Sequence, residues 1–389
     1  MLSFQYLCGF AGTLKFDPRL ALEDSPFSLF SLQINYRILT LSLTLPVIIN
    51  IMSAAGFIRA VIDDMEYKMK KAIKLFGKIL AGMFAAVVVL LFGIFIWHNI
   101  CKHKENGLFE NPPVGQFVEV DGHKMNVYVE GEGGHTLVFM PGSGTTSPIY
   151  DFRDFTDRLK DDYRIVIIEK FGYGFSDLTD DDRTVDVIAE QNRKALLAAG
   201  VEGPYILCPH SFAGLETIYW AQHYPDEVGA VIGLDMAVPE SYEPGVYNAE
   251  NIKKLVKSPK LIAAGRTLGI VRLLIDKDSF PDTLTDEEKS YVKAIASARY
   301  CNKTYRNEIA HILYDLELLS SNPVPDVPTL LFISDGSQTT GSSWIEYGMN
   351  YASQVSDVQT VLFECKHAVY RYEPDRVEAE MRAFLKGIE

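Results

Sequence analysis

Cysteine and positive charge are both scarce in this chain, and each scarcity closes off a class of function. The five cysteines, Cys8, Cys101, Cys208, Cys301 and Cys365, are scattered, with no Cys-x-x-Cys pair. Neither a disulfide framework nor a zinc site is indicated by such spacing. Lysine and arginine number 37 against 51 aspartates and glutamates, a formal net charge of -14. Nucleic-acid binding needs clustered cations to meet phosphates, so that class is set aside.

Charge is missing altogether from residues 79–97, ILAGMFAAVVVLLFGIFIW. As a helix rising ~1.5 Å per residue this run matches the ~30 Å hydrocarbon thickness of a bilayer. Buried core helices rarely run so long without a polar residue, and a transmembrane helix is expected. Lys68, Lys70, Lys71, Lys74 and Lys78 precede it, whereas only Lys102 and Lys104 follow closely. The bias of positive charge toward the cytoplasm then puts everything after Trp97 on the extracytoplasmic side of the cell membrane, as a single-pass protein. A cleaved signal peptide would need a small-x-small site, and none follows before the charged stretch 102–105. The residues before Cys101 (His98, Asn99, Ile100) also lack the small side chains of a lipoprotein signal.

Residues 1–64 show no sustained periodicity, and their patchy apolar stretch 38–61 is broken by Pro46, Asn50 and Arg59. Met65 and Met69 stand directly before the basic segment, so the native start is expected at one of them, with 1–64 outside the native chain. On that reading 65–78 is a short basic cytoplasmic segment, 79–97 the anchor and 98–115 a linker.

From Gln116 the pattern changes to strand, turn, strand: QFVEV, the turn Asp121-Gly122, then KMNVYVE. An Asp-Gly turn between alternating runs is a strong hairpin signal. Short β-branched runs then alternate with helical stretches, beginning near residues 136, 164, 205, 230, 329 and 359. That alternation predicts an α/β fold with an eight-stranded, mostly parallel sheet, helices on both faces and an antiparallel opening hairpin. It stops over 237–326, which reads as helices alone. A helical insert there would lie over the carboxyl edge of the sheet, where ligands bind in open α/β folds, and is a candidate lid on a core formed by 116–236 and 327–389.

The stretch Pro209-His210-Ser211-Phe212-Ala213-Gly214 follows an apolar run and precedes a helical segment, the setting of a serine nucleophile on a strained strand-to-helix turn. Four other segments accompany it in order: Phe139-Met140-Pro141-Gly142-Ser143-Gly144; Glu169 to Asp177, with Gly172-Tyr173-Gly174; Gly233-Leu234-Asp235; and His367 with Glu373-Pro374. Together they resemble the α/β-hydrolase superfamily, specifically its lidded serine hydrolases of the esterase, lipase and proline-iminopeptidase kind. The resemblance runs from about Val118 to Leu385. It implies Ser211 as nucleophile, His367 as general base and Asp335 as the acid that orients it, with Asp235 as the alternative acid. It also implies an oxyanion hole from the backbone N–H groups of Ser143 and Phe212. The Gly172 to Asp177 loop is read as packing.

An aspartate at position 211 would imply dehalogenase or epoxide hydrolase chemistry; the chain carries serine. The expected reaction is acyl transfer to Ser211 followed by hydrolysis, with neither metal nor organic cofactor called for. The expected substrate is a small-molecule ester, a lipid or a short peptide. A peptidase of the proline-iminopeptidase kind is the enzyme alternative, with Glu240 or Glu243 as conceivable anchors for a peptide amine. Departures at Pro141, Pro209 and Ala213 keep open a silent, membrane-anchored binding protein.

Overall fold

The computed structural model describes residues 26–276, 280–339 and 343–388. Residues 1–25 of the leader and 277–279 of the insert lie outside them. The described chain divides into two units, one ending at Val87 and one comprising Val88–Glu389. The first is entirely helical: α1 begins at Pro26, and its last part, as far as Glu110, belongs to the second unit. The apolar run of residues 79–97 is continuous helix, and α1 contains an 18-residue window of mean hydropathy 2.9, none of it buried. It is long and apolar enough to cross a membrane.

The second unit is built on eight strands: β1 (Gln116–Val120), β2 (His123–Glu130), β3 (Thr136–Met140), β4 (Arg164–Glu169), β5 (Tyr205–Ser211), β6 (Val228–Met236), β7 (Thr329–Ile333) and β8 (Val358–Leu362). They lie in the order β1-β2-β4-β3-β5-β6-β7-β8, antiparallel for the β1/β2 and β2/β4 pairs and parallel elsewhere. Asp121 and Gly122 both have positive φ, 50° and 80°, as a two-residue hairpin turn matched to strand twist requires.

Strand periodicity of two sorts each strand's side chains onto two cores. Val138, Met140, Val166 and Leu207 face one core, which α3 (Val185–Ala198), α4 (Ala213–His223) and α9 (Trp344–Ala352) cover. Leu137, Phe139, Ile165 and Ile206 face the other, covered by α2 (Pro148–Thr156) and α11 (Pro374–Gly387), with α10 (Val369–Tyr372) between His367 and α11. Central strands are therefore buried on both faces, and read as unbroken apolar runs.

Between β6 and β7 the chain forms α5 (Ala249–Thr267), α6 (Ile270–Leu274), α7 (Asp286–Arg299) and α8 (Lys303–Ser320). Their starts are set by local chemistry. The Asn248 carboxamide oxygen accepts from the Glu250 and Asn251 N–H groups, Thr285 and Glu288 form a reciprocal capping box, and Asn302 accepts from the Tyr305 N–H.

Candidate active site

Ser211 ends β5 in the left-handed region, at φ 53°, and α4 starts two residues later. A serine held there is strained, and such strain persists only where surrounding structure enforces it. The enforcement comes from two close approaches. A Cβ on Gly142 would sit 2.8 Å from the Ser211 Cβ, and one on Gly214 would fall on the Ala237 carbonyl oxygen. Smallness at the turn is thus demanded most sharply at 142 and 214.

His367 follows β8, and its Nδ1 lies 2.6 Å from Asp235 Oδ2. Asp235 is the acid that the structure brings to His367; the favoured choice, Asp335, is not brought there. The Asp335 side chain is exposed and bonded to Ser337, whose side chain and N–H (2.7 Å) together hold its carboxyl below the usual range. Its backbone is tied to the same region, since the Asp335 N–H donates to the Cys365 carbonyl at 3.0 Å. The carboxylate has simply turned outward into a local loop. Asp235, by contrast, is 1% exposed, and its Oδ1 accepts from the Ser334 N–H (2.8 Å) and the Trp344 indole N–H (2.7 Å). With Oδ1 so occupied, Oδ2 is left for His367. Asp235 also has left-handed backbone, φ 55°.

The His367 ring is held by two aromatic neighbours, His210 at 4.6 Å between ring centroids and Trp344 at 5.5 Å, edge-on. His210 is buried, and among the described residues neither of its ring nitrogens has a hydrogen-bond partner. Burial, with His367 beside it, lowers its pKa to about 3, so it stays neutral. Trp344 was not singled out from sequence; a tryptophan beyond the seventh strand carries no pattern of its own.

Ser143, Ser211, Phe212 and His367 line one cavity of about 290 Å³. The inserted helices contribute Leu255, Tyr305, Ile309 and Ile312, and the segment after β6 contributes Tyr242 and Tyr247. Neither the Ser143 nor the Phe212 N–H is engaged in a hydrogen bond among the described residues. Glu243 is turned away from a ligand role by the Tyr347 hydroxyl, which donates to it at 2.7 Å. Neither Glu240 nor Glu243 lines the cavity.

Below the cavity floor lies a buried ionic network. Lys170, wholly buried, pairs with Glu216 of α4 and, at 3.1 Å, with Glu308 of α8. The Tyr173 hydroxyl meets Glu308 at 3.0 Å and accepts the Gly144 N–H at 3.1 Å. The Gly172 to Asp177 loop is therefore packed as expected, yet through Tyr173 it also braces the Gly142 to Gly144 turn. Gly174 is required there because a Cβ would run into the Glu169 carboxylate.

Among curated proteins the chain is similar to the uncharacterized protein YbdG of Bacillus subtilis, 31% identical over 331 residues, 82% of this chain and 100% of that one. Solved structures of similar fold include an epoxide hydrolase from Bacillus megaterium (TM-score 0.56, 18% identity, 70% of this chain and all of that one). The epoxide hydrolase VrEH1 from Vigna radiata has TM-score 0.55 at 18% identity, over 70% and 97% of the two chains. The esterase EaEST from Exiguobacterium antarcticum has TM-score 0.53 at 16% identity, over 70% and 99%. No family model matches the chain.

Proposed function

Because this chain belongs to the family that includes YbdG and has the α/β-hydrolase fold, we propose that it is a serine hydrolase cleaving carboxylic esters through an acyl-enzyme intermediate. The observation that carries the proposal is the 2.6 Å contact of His367 Nδ1 with buried Asp235, in a site whose cavity His367 shares with a serine on a strained turn.

Asp235 accepts the Nδ1 proton of His367, which leaves Nε2 as the basic nitrogen. His367 takes the Ser211 hydroxyl proton as Oγ attacks the ester carbonyl carbon. The negative charge that forms on the carbonyl oxygen is met by the Ser143 and Phe212 N–H groups. Collapse breaks the bond to the leaving alcohol, which takes the proton from His367. Water then gives a proton to His367, attacks the acyl carbon and releases the acid from Ser211 Oγ, which recovers its proton.

An ester is favoured over a peptide because the described residues that line the cavity, Ser143, Gln338 and Thr339 among them, include no carboxylate to anchor a free amine. Tyr242, Tyr247, Leu255, Ile309 and Ile312 suit an apolar acyl or alkoxy group of modest size. The insert acts as lid over this site. The apolar run 79–97 anchors the protein in the cell membrane with the hydrolase unit on the extracytoplasmic side, in keeping with the lysines that precede it.

The test is labelling of the full chain, in detergent, with a fluorescent fluorophosphonate. Wild type is expected to label, and Ser211→Ala and His367→Ala to fail, with nitrophenyl ester turnover lost in parallel. A folded wild type that does not label would overturn the assignment and favour a binding protein that retains the fold.

A further inference from the structure

Beyond Trp97, helix α1 continues to Glu110 and meets the inserted helices. Gly269 has φ +86° and approaches so closely that a Cβ would strike the His98 side chain. Arg272 of α6 clamps the junction. Its Nη1 and Nη2 donate to the two Glu105 carboxylate oxygens, each at 2.6 Å, and its Nε lies 3.2 Å from His98 Nδ1.

Beside this clamp opens a cavity of about 600 Å³, whose wall among the described residues carries Lys102, Arg266, Arg272 and Arg299 but a single carboxylate, Glu105. Such a concentration of cations stands out in a chain of net charge -14. Glu105 is taken by Arg272, which leaves three positive side chains without an ion pair among the described residues. Arg266 donates through Nη1 to the Ala298 carbonyl, but its Nε is buried with no hydrogen-bond partner among the described residues. Arg299 donates to the carbonyls of Gly174 (3.0 Å) and Phe175 (3.4 Å), which are dipoles and not charges. Lys102 is exposed at the rim. Burial lowers the pKa of both arginines, Arg299 to about 10, with Arg306 adding to the effect on Arg266. Among the described residues the cavity thus holds three cations with no ion-pair partner and, in Arg266 Nε, a buried donor left unmet.

We propose that this cavity binds a phosphate-bearing anion, received by Arg266, Arg299 and Lys102. Planar guanidinium groups match phosphate oxygens in geometry, and a partly buried pair binds far more firmly than surface lysines can. Phe95 and Phe109 line the same cavity and can meet an apolar portion of the ligand. The cavity begins at the end of the apolar run, at headgroup depth if that run spans the bilayer. A phospholipid headgroup is accordingly one source of the phosphate, and a soluble phosphate compound is the other. The lipid source rests on the membrane placement proposed above; the anion site does not.

The test uses the full chain in detergent, by native mass spectrometry with dioleoylphosphatidylglycerol or dioleoylphosphatidylcholine added, and by thermal shift with inorganic phosphate. Wild type is expected to retain one phosphatidylglycerol in preference to phosphatidylcholine, and Arg266→Ala and Lys102→Ala each to weaken retention at least tenfold. A response to inorganic phosphate that both substitutions abolish, without preference between the lipids, would identify the soluble source. The proposal is overturned if neither lipid nor phosphate discriminates wild type from either variant. Lys102 is exposed, so its variant reads out even if Arg266→Ala fails to fold. Fluorophosphonate labelling, expected unchanged in both variants, reports separately on the reaction at Ser211.

Discussion

At the scale of single residues, the proposed reaction turns on which of two aspartates faces His367. Asp235 is buried and faces His367; Asp335 is exposed and bonded to its own loop. Asp235→Asn is expected to lower kcat by about 10²–10⁴-fold, because an amide stabilises neither the right tautomer nor the imidazolium. Asp335→Asn should stay within twofold of wild type, and steady-state kinetics on a nitrophenyl ester decides between them. Sequence could not make this choice, since both residues come at the ends of adjacent parallel strands. Asp315 on α8 supplies a second residue-scale expectation. Burial pushes its carboxyl up from 3.8 to about 8, although one oxygen accepts the Val185 N–H at 3.0 Å. The folded state thus holds a proton that the unfolded chain has lost. This contribution to stability is full below about pH 3.8 and fades as pH rises toward 8, at about 1.4 kcal/mol per unit of pKa difference. Asp315→Asn cannot ionise, so its thermal midpoint should gain on wild type between pH 5 and about pH 8 and level off above it. Parallel curves for the two proteins would refute the assignment.

At the scale of elements, α8 is fastened to the core by polar groups on its inner face. Thr304, Glu308, Ile312, Asp315 and Leu319 are its buried residues, spaced by four, four, three and four as one helical stripe. Three of the five are polar, so the hydrophobic pattern of the sequence suggests a helix there without revealing which side is covered. Glu308 reaches Lys170 and Tyr173, and Lys170 reaches Glu216 on α4, so the helix over the cavity and the helix that begins at the nucleophile share one cation. Lys170→Met would leave two buried carboxylates without their counter-ion, and a destabilisation of about 3–5 kcal/mol is expected. Thermal denaturation of the purified variant measures it. Tyr173→Phe should preserve stability better but unpin the Gly144 N–H, and so slow phosphonylation of Ser211 by fluorophosphonate, with loss of fluoride, several-fold with little change in probe affinity.

At the scale of the whole molecule, α1 carries an uncharged run over residues 79–97 that is exposed along most of its length, and the helix holds an 18-residue apolar window of which none is buried. Lipid is the solvent that accommodates such a helix, since it satisfies every backbone hydrogen bond internally. The full chain should therefore remain with membranes through alkaline carbonate and high salt. In right-side-out vesicles the hydrolase unit should be open to added protease; protection there would reverse the proposed orientation.

Sequence by itself determined the strands, their alternation with helices and the strained serine turn. Those features follow from local periodicity, from turn residues and from steric demands carried by neighbouring positions. Ser211 and His367 were legible as candidates because one ends a strand and the other comes in the loop after one, and parallel strands deliver their ends to one edge. Tertiary structure alone decided that Asp235 faces His367, that Trp344 and Ser334 hold that carboxylate, and that Tyr173 braces the Gly144 turn. These partners lie between 29 and 132 residues apart in the chain. Which of several side chains at a common edge turns inward depends on packing and buried hydrogen bonds, and neither is written in local pattern.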